Sequence, residues 1–427
     1  MIRGFGVWKR MPDPFFVGGS MVSESDTHII LVRLLKLLYN YIEVSEVYLF
    51  RDFVDKNIIE HKNGLKNIKY NIKKGMAIIK VFGDEFGGRE VKKLLSFIGY
   101  VMNKYGKMCR KLVIQFDILY PKDKLSYIIL EHIIFELLEL YKTVIVQARG
   151  FDSDISTEGL KDSPLVKYIT QKISAEEFRK QYKKRFFYDH FRRIINQNDA
   201  YAVSNLMSDI KTFLKFFNIS ENELSTISKI TSELADNAGE HAGSECLVDI
   251  DISSEYEKEG APGEKYYSVN ICALNFSNIC LDDIVREKIV NSSFKNEERY
   301  IKVSHAYKKH KQFFDKNYTD DHFFMMAAFQ NKISGRKKIT ESGGIGLFEM
   351  ISAVEKRADN HDCYVLSKDK VIRFHPKLLV SNSDNWVGFN KEKDFLNSKP
   401  APESIACSDT YLTGTGYNLT LIYRRCD

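Results

Sequence analysis

The sequence predicts an α/β (α+β) protein in two folded parts, an N-terminal α/β domain over a parallel or mixed sheet and a C-terminal α/β sandwich. Three observations carry this prediction. Strand-like apolar runs alternate with long amphipathic helices between Met76 and Ala148. A pair of helices after residue 200 then leads into two strands of alternating pattern that end near Ala273. With 427 residues, 44% of them hydrophobic, the chain is long enough to bury more than one core.

Thr27 to about Tyr41 reads as a buried helix, and Val47-Tyr48-Leu49-Phe50 as a short strand. Strands are predicted at Met76 to Phe82, Lys111 to Phe116 and Thr143 to Ala148, with helices at Glu90 to Tyr105 and Lys124 to Tyr141 between them. This spacing predicts right-handed βαβ units in a first domain over residues 1–150. Gly83 to Gly88 is either an anion cradle or, with Asp84 and Glu85 beside it, a plain strand-to-helix loop. Residues 151–199 form a predicted helical linker. Ser174 caps a helix with Glu177 in the boxed position, and the helix runs to Ile195. Its interleaved Lys, Arg and aromatic residues admit a nucleic-acid reading. Phe178, Tyr182, Phe186 and Ile194 more simply form a buried stripe, so nucleic acid is not an expected partner.

Residues 200–427 make the second domain. Ala200 to Phe217 reads as a helix, Cys246 to Ser253 as a half-buried strand, and Tyr267 to Ala273 as its antiparallel neighbour. An insertion over about 281–341 carries a basic helix, Lys302 to Lys311, and a helix through Phe323-Phe324-Met325-Met326. Cys363 to Phe374 reads as a hairpin around Lys368-Asp369-Lys370, and Tyr417 to Tyr423 as the closing strand.

Composition excludes several classes. A net charge of +6 gives little push toward nucleic acid or membrane. The seven cysteines have no C-x-x-C spacing and read as reduced thiols. Lys9, Arg10 and Asp13 interrupt any signal-peptide core, and no run reaches about eighteen apolar residues, so the expected location is cytoplasmic, without a membrane partner. The wealth of Lys, Asn and Ile suits an AT-rich bacterial genome.

Two motifs point to phosphoryl chemistry. Ser220 and Glu223 form a capping box opening a helix that buries Leu224, Ile227, Ile230, Leu234 and Ala238. Glu233, Asn237 and His241 follow one another at four-residue spacing and share one face. An Asn carbonyl suits magnesium, and a Glu one turn earlier can polarise an attacking water. The alternative is a solvated helix stripe. In the second motif, Thr340-Glu341-Ser342-Gly343-Gly344-Ile345-Gly346-Leu347 opens an amphipathic helix, where backbone N–H groups can approach a phosphate. Ser334-Gly335-Arg336-Lys337-Lys338 before it is a basic loop able to close over a polyphosphate. A Gly-rich turn also serves plain packing.

In this order the motifs resemble the gyrase, histidine kinase and MutL (GHKL) superfamily of ATPases. Glu233-x-x-x-Asn237, with Asp236 and His241 beside it, is similar to that family's N box. The resemblance implies ATP and Mg as cofactors, Asn237 as the metal ligand and Glu233 as the catalytic residue. Gly343, Gly344, Gly346 and Leu347 resemble the second glycine box, and Ser334, Arg336 and Lys337 resemble the ATP lid. Thr415, in Gly414-Thr415-Gly416-Tyr417, resembles the last strand near the adenine. One departure stands out. Leu274 falls where the family's adenine-binding Asp is expected, and Phe276 and Asn278 replace glycines. Asn275 accepts from adenine, or the base is bound differently, or the pocket has lost nucleotide.

The N-terminal domain loosely resembles the STAS fold of anti-sigma-factor antagonists, which implies partner switching. The turn after Phe116-Asp117 reads Ile118-Leu119-Tyr120-Pro121, without the phosphorylatable Ser. His190-Phe191-Arg192-Arg193 is faintly similar to a histidine kinase phospho-acceptor box. Without a Pro, and so near the N box, His190 reads as a core or surface residue. The combined expectation is a GHKL-type ATP-binding protein that hydrolyses ATP or passes its γ-phosphate to a protein partner. The alternative is a catalytically degenerate regulatory module. A homodimer is compatible with either.

Overall fold

The computed structural model describes residues 48–59, 67–83, 85–151, 158–196, 201–239, 243–258, 262–292, 294, 297–333, 346–358 and 363–426. In the first sheet β1 (Ile68–Asn71) pairs antiparallel with β2 (Met76–Val81), and β3 (Lys111–Leu119) and β4 (Thr143–Phe151) add in parallel. The crossovers are α1 (Gly88–Tyr105) and α2 (Lys124–Leu140). In α1, Val91, Leu94, Leu95, Ile98 and Val101 recur at helical spacing and are buried. Asp123 caps α2 by accepting from the Ser126 backbone at 2.7 Å.

Unlike α1, α2 is apolar nearly all round, and both sheets cover it. The second sheet is antiparallel, in the order β10–β11–β9–β7–β6–β5. Its strands are β5 (Lys184–Phe186), β6 (His190–Ile195), β7 (Cys246–Ile252), β9 (Lys265–Phe276), β10 (Tyr364–Arg373) and β11 (Ile405–Arg424). The short β8 (Tyr256–Glu257) pairs with the start of β9. One face of this sheet, with Leu247, Cys272, Leu274, Leu366 and Leu412, packs into the core around α1 and α2. The other, with Val248, Ile250, Ile271, Ala273, Tyr417 and Leu419, is covered by three helices, α5 (Ala202–Leu214), α6 (Glu221–Asn237) and α10 (Gly346–Arg357). Between the sheets in sequence lie α3 (Pro164–Ile169) and α4 (Ala175–Lys183). Residues 49–427 form one compact unit.

Buried ions cross the interface between α2 and the second sheet. Register pairs His190 with Asp251 and Arg192 with Asp249. The ammonium of Lys124, at the start of α2, lies 2.8 Å from Asp249 and 2.6 Å from Asp251, and donates to the Asn270 carbonyl at 2.9 Å. Arg192 bridges Asp249 to Glu131 of α2, and His190 Nε2 lies 2.8 Å from Asp249. Burial works against ionisation of Asp249, yet Arg192, His190 and Lys124 outweigh it and hold the carboxyl well below the usual range. Desolvating such ions costs several kcal/mol each, so the cluster sets how α2 docks more than it adds net stability.

Several expectations are corrected. The stretch read as a strand at Val47 to Phe50 lies, from Tyr48 on, in a helix ending at 56, whose Phe50, Phe53 and Val54 are buried. The helix capped by Ser174 ends at Lys183, and residues 184–195 instead add β5 and β6 to the second sheet. Phe178 and Tyr182 are buried as expected, but Phe186 is 43% exposed. Strand β7 is buried on both faces, not one, because its aspartates face the ion cluster. The hairpin expected at Lys368 is one strand with a bulge, Lys368 taking φ +56°. The closing strand is longer than expected, 20 residues from Ile405.

The insertion over about 281–341 is, in its described part, core. Its helices α7 (Asp283–Val290), α8 (Glu298–His310) and α9 (Asp320–Ala328) bury Ile289, Val303, Phe323 and Met326. Lys368 fastens them to the sheet at 2.8 Å from both Asp282 and Asp283. The helix expected at Thr27 to Tyr41 lies outside the described residues. All seven cysteines are free, five of them buried. Among the described residues no helix is long and apolar enough to cross a membrane.

Two outcomes follow from α2. Arg192→Leu strands Asp249 and Glu131 without their shared cation and is expected to lower the unfolding free energy by about 3–5 kcal/mol. An unchanged urea midpoint would refute the role given to the cluster. His132 of α2 stacks on Phe276 at 4.0 Å and shares a hydrogen bond with Tyr182 Oη at 2.9 Å. Burial lowers its pKa from 6.5 to about 3. The folded chain thus keeps it neutral while the unfolded chain takes up a proton below 6.5. The stability this burial contributes is complete above 6.5 and is lost as pH falls toward 3. His132→Phe is expected to flatten the pH dependence of unfolding in that window by up to about 1.4 kcal/mol per pH unit, measured by denaturant titration at stepped pH.

Candidate functional site

Helix α6 begins as its sequence requires. Ser220 donates to the Glu223 carboxylate at 2.8 Å, and Oγ accepts from the Glu223 backbone at 3.4 Å. The apolar stripe Leu224, Ile227, Ile230, Leu234 packs on the sheet, leaving Glu233, Asp236 and Asn237 half-buried beside it. Helix α10 runs antiparallel to α6, tied by Lys229–Glu349 at 2.6 Å and Arg357–Glu223 at 2.7 Å. This pairing sets the first residue of α10, Gly346, directly against Glu233. Any side chain at 346 would overlap the Glu233 carboxylate. The end of one helix carrying an acid thus meets Gly346, the first described residue of another. One turn on, Asn237 Nδ2 is buried and has no hydrogen-bond partner.

A second pair sits on the same face of the sheet. Asn275 of β9 and Thr415 of β11 are direct cross-strand partners, and Thr415 pairs in turn with Ser367 of β10. All three are more than nine-tenths buried. Asn275 Nδ2 donates to Ser244 Oγ at 3.1 Å, while Ser367 Oγ lies 3.2 Å from Thr415 Oγ1 and donates to the Gly414 carbonyl at 3.0 Å. Gly414, at φ +132°, lies so close to the Asn275 carbonyl that a Cβ there would collide with it. Strand alternation decides between Leu274 and Asn275. Leu274 turns toward the core around α2, and Asn275 toward the helices.

Of the site residues expected from sequence, the structure brings together Glu233 with Gly346 and Asn275 with Thr415. Asp236 lies on α6, and Leu347 packs half-buried on the core. His241, Ser334, Arg336, Lys337, Gly343 and Gly344 lie outside the described residues. Sequence reasoning missed the ion cluster, whose signal was charge at alternate positions in two strands, His190 and Arg192, Asp249 and Asp251. Among the described residues no group of three or more His, Cys, Asp or Glu is placed to hold a metal ion.

No family model, curated protein or solved structure matches this chain. The contact between the two helices is testable directly. Gly346→Ala must displace Glu233 or shift α10 and is expected to cost roughly 1–3 kcal/mol. A thermal melt identical to wild type would show that 346 and 233 are not apposed.

Proposed function

We propose that the protein binds Mg-ATP in the manner of GHKL-type ATPases and either hydrolyses it or passes the γ-phosphate to a protein partner. The observation that supports this reading most is the apposition of Glu233 with the glycine opening α10. An acid held against a helix N-terminus is the geometry required to set a water beside a phosphate bound by backbone N–H groups. Glu233 orients that water and takes its proton. Asn237, whose Nδ2 has no hydrogen-bond partner, would offer its Oδ1 to magnesium, which would supply charge neutralisation across the phosphates. Asn275 commits its Nδ2 to Ser244, so its Oδ1 is the atom oriented to accept from an adenine amino group, with Thr415 beside it. His241, Arg336 and Lys337, with the N–H groups of Gly343 and Gly344, complete the phosphate contacts in this reading. The protein acts in the cytoplasm, with nucleotide occupancy read out by a protein partner.

A second reading, a regulatory module that keeps the fold without turnover, is favoured by one observation. Phe276 stands where the resemblance expects glycine, and its ring is locked between Phe53 and His132.

Calorimetry with ATP, with and without magnesium, and a phosphate-release assay separate the two. Turnover is expected in the wild type, with a drop on the order of 10²–10⁴-fold in Glu233→Ala and loss of magnesium-dependent binding in Asn237→Ala. Wild-type turnover in both variants rejects these roles. Absence of nucleotide binding leaves the second reading.

A further inference from the structure

The groove between edge strand β5 and helix α5 takes no part in the site above. Among the described strands β5 pairs only with β6. Along this edge stand Phe186, Tyr188 and Phe216, exposed by 43%, 71% and 58%, and Tyr201 at the start of α5 is exposed by 72%. Large aromatic side chains left this open in one strip mark a contact surface. The rings are braced from below, Phe186 edge-on to Phe213 at 5.9 Å and Tyr188 at 5.6 Å from Phe217. Between the two aromatic ends lies a cleft of about 500 Å³, lined in part by Lys184, Arg193, Asn196, Asn205 and Asp209. Asp209 is the one acid in its lining and is tied to Arg193 at 2.6 Å. Among the described residues Lys184 has no ion pair, and Lys183 beside it is exposed.

We propose that this groove binds single-stranded nucleic acid, its phosphates passing Lys184 and Arg193 and its bases stacking on Tyr188 and Phe186 at one end and on Tyr201 at the other. The 13 residues of α5 separate the two ends by about 20 Å, at 1.5 Å per residue. The stretch between them carries Lys184 and Arg193 and a single acid, already tied to Arg193, which favours a polyanion that repeats flat bases and anionic linkers along its length. A duplex keeps its base faces stacked and inaccessible, which makes a single strand the fitting form.

The test uses the full chain, a fluorescein-labelled oligothymidylate of about 20 nucleotides, longer than one site, and the matching oligouridylate, read by anisotropy over a salt series. Binding to one or both is expected, weakening linearly with the logarithm of salt concentration. Tyr188→Ala and Tyr201→Ala should each weaken it on the order of tenfold. Lys184→Ala should reduce the salt slope by about 0.7. All three side chains are exposed, so their circular dichroism melts should match wild type. Glu233→Ala should bind as wild type does, which keeps this result separate from the nucleotide reading. No binding at low salt, equal affinity for a blunt duplex, full displacement by polyglutamate of equal charge, or wild-type affinity in all three variants would each overturn the proposal.

Discussion

The helix Lys124–Leu140 has almost no polar side, and that constraint organises the molecule. An apolar cylinder must be covered all round, and here two sheets do it, one mixed, with strands on either side of the helix in sequence, and one antiparallel and following. Lys124 and Glu131 then decide how it lies. Each finds its counter-ion on β6 or β7, so sliding or turning the helix would separate charges in a medium that does not forgive it. Two parts that read as separate domains in sequence are therefore held in one compact unit. The same packing reaches the far end of the sheet, where His132 stacks on Phe276, the residue after Asn275.

The elements that were legible in sequence are those whose pattern is local. The βαβ alternation from Met76 to Ala148 and the capped helix from Ser220 each carry their signal within a few residues, and each is present within a few residues of its expected bounds. The misreadings share a cause. Asp249 and Asp251 looked like a solvent-facing rim because acids in a strand usually are, and only partners 57 to 127 positions away bury them. From Ser174 the aromatic and basic residues fit helical spacing through Ile195. Nothing local reveals that residues 190–195 have a strand waiting beside them. At Tyr48 to Phe50 a short apolar run fits either period, and the contacts of Phe53 and Val54 decide for helix.

The candidate site was legible in outline because its residues are grouped in two short motifs. Whether Leu274 or Asn275 faced the helices could not be read from β9 alone, since both faces of that strand are buried and its hydrophobicity shows no alternation. The register with β11 resolves it by setting Asn275 beside Thr415.

Strand β11 has a consequence for how the chain matures. It is the central partner of both β9 and β10, and it also lies against α1 and the backbone carbonyl and amide of Tyr411 bond to Asn57. Being later in sequence than every element it joins, it leaves the ribosome after them. Until it arrives, β9 and β10 present naked edges and a slot open through the middle of the sheet. Closure of this sheet is therefore a long-range event that waits on β11, the last strand in sequence of the three it unites.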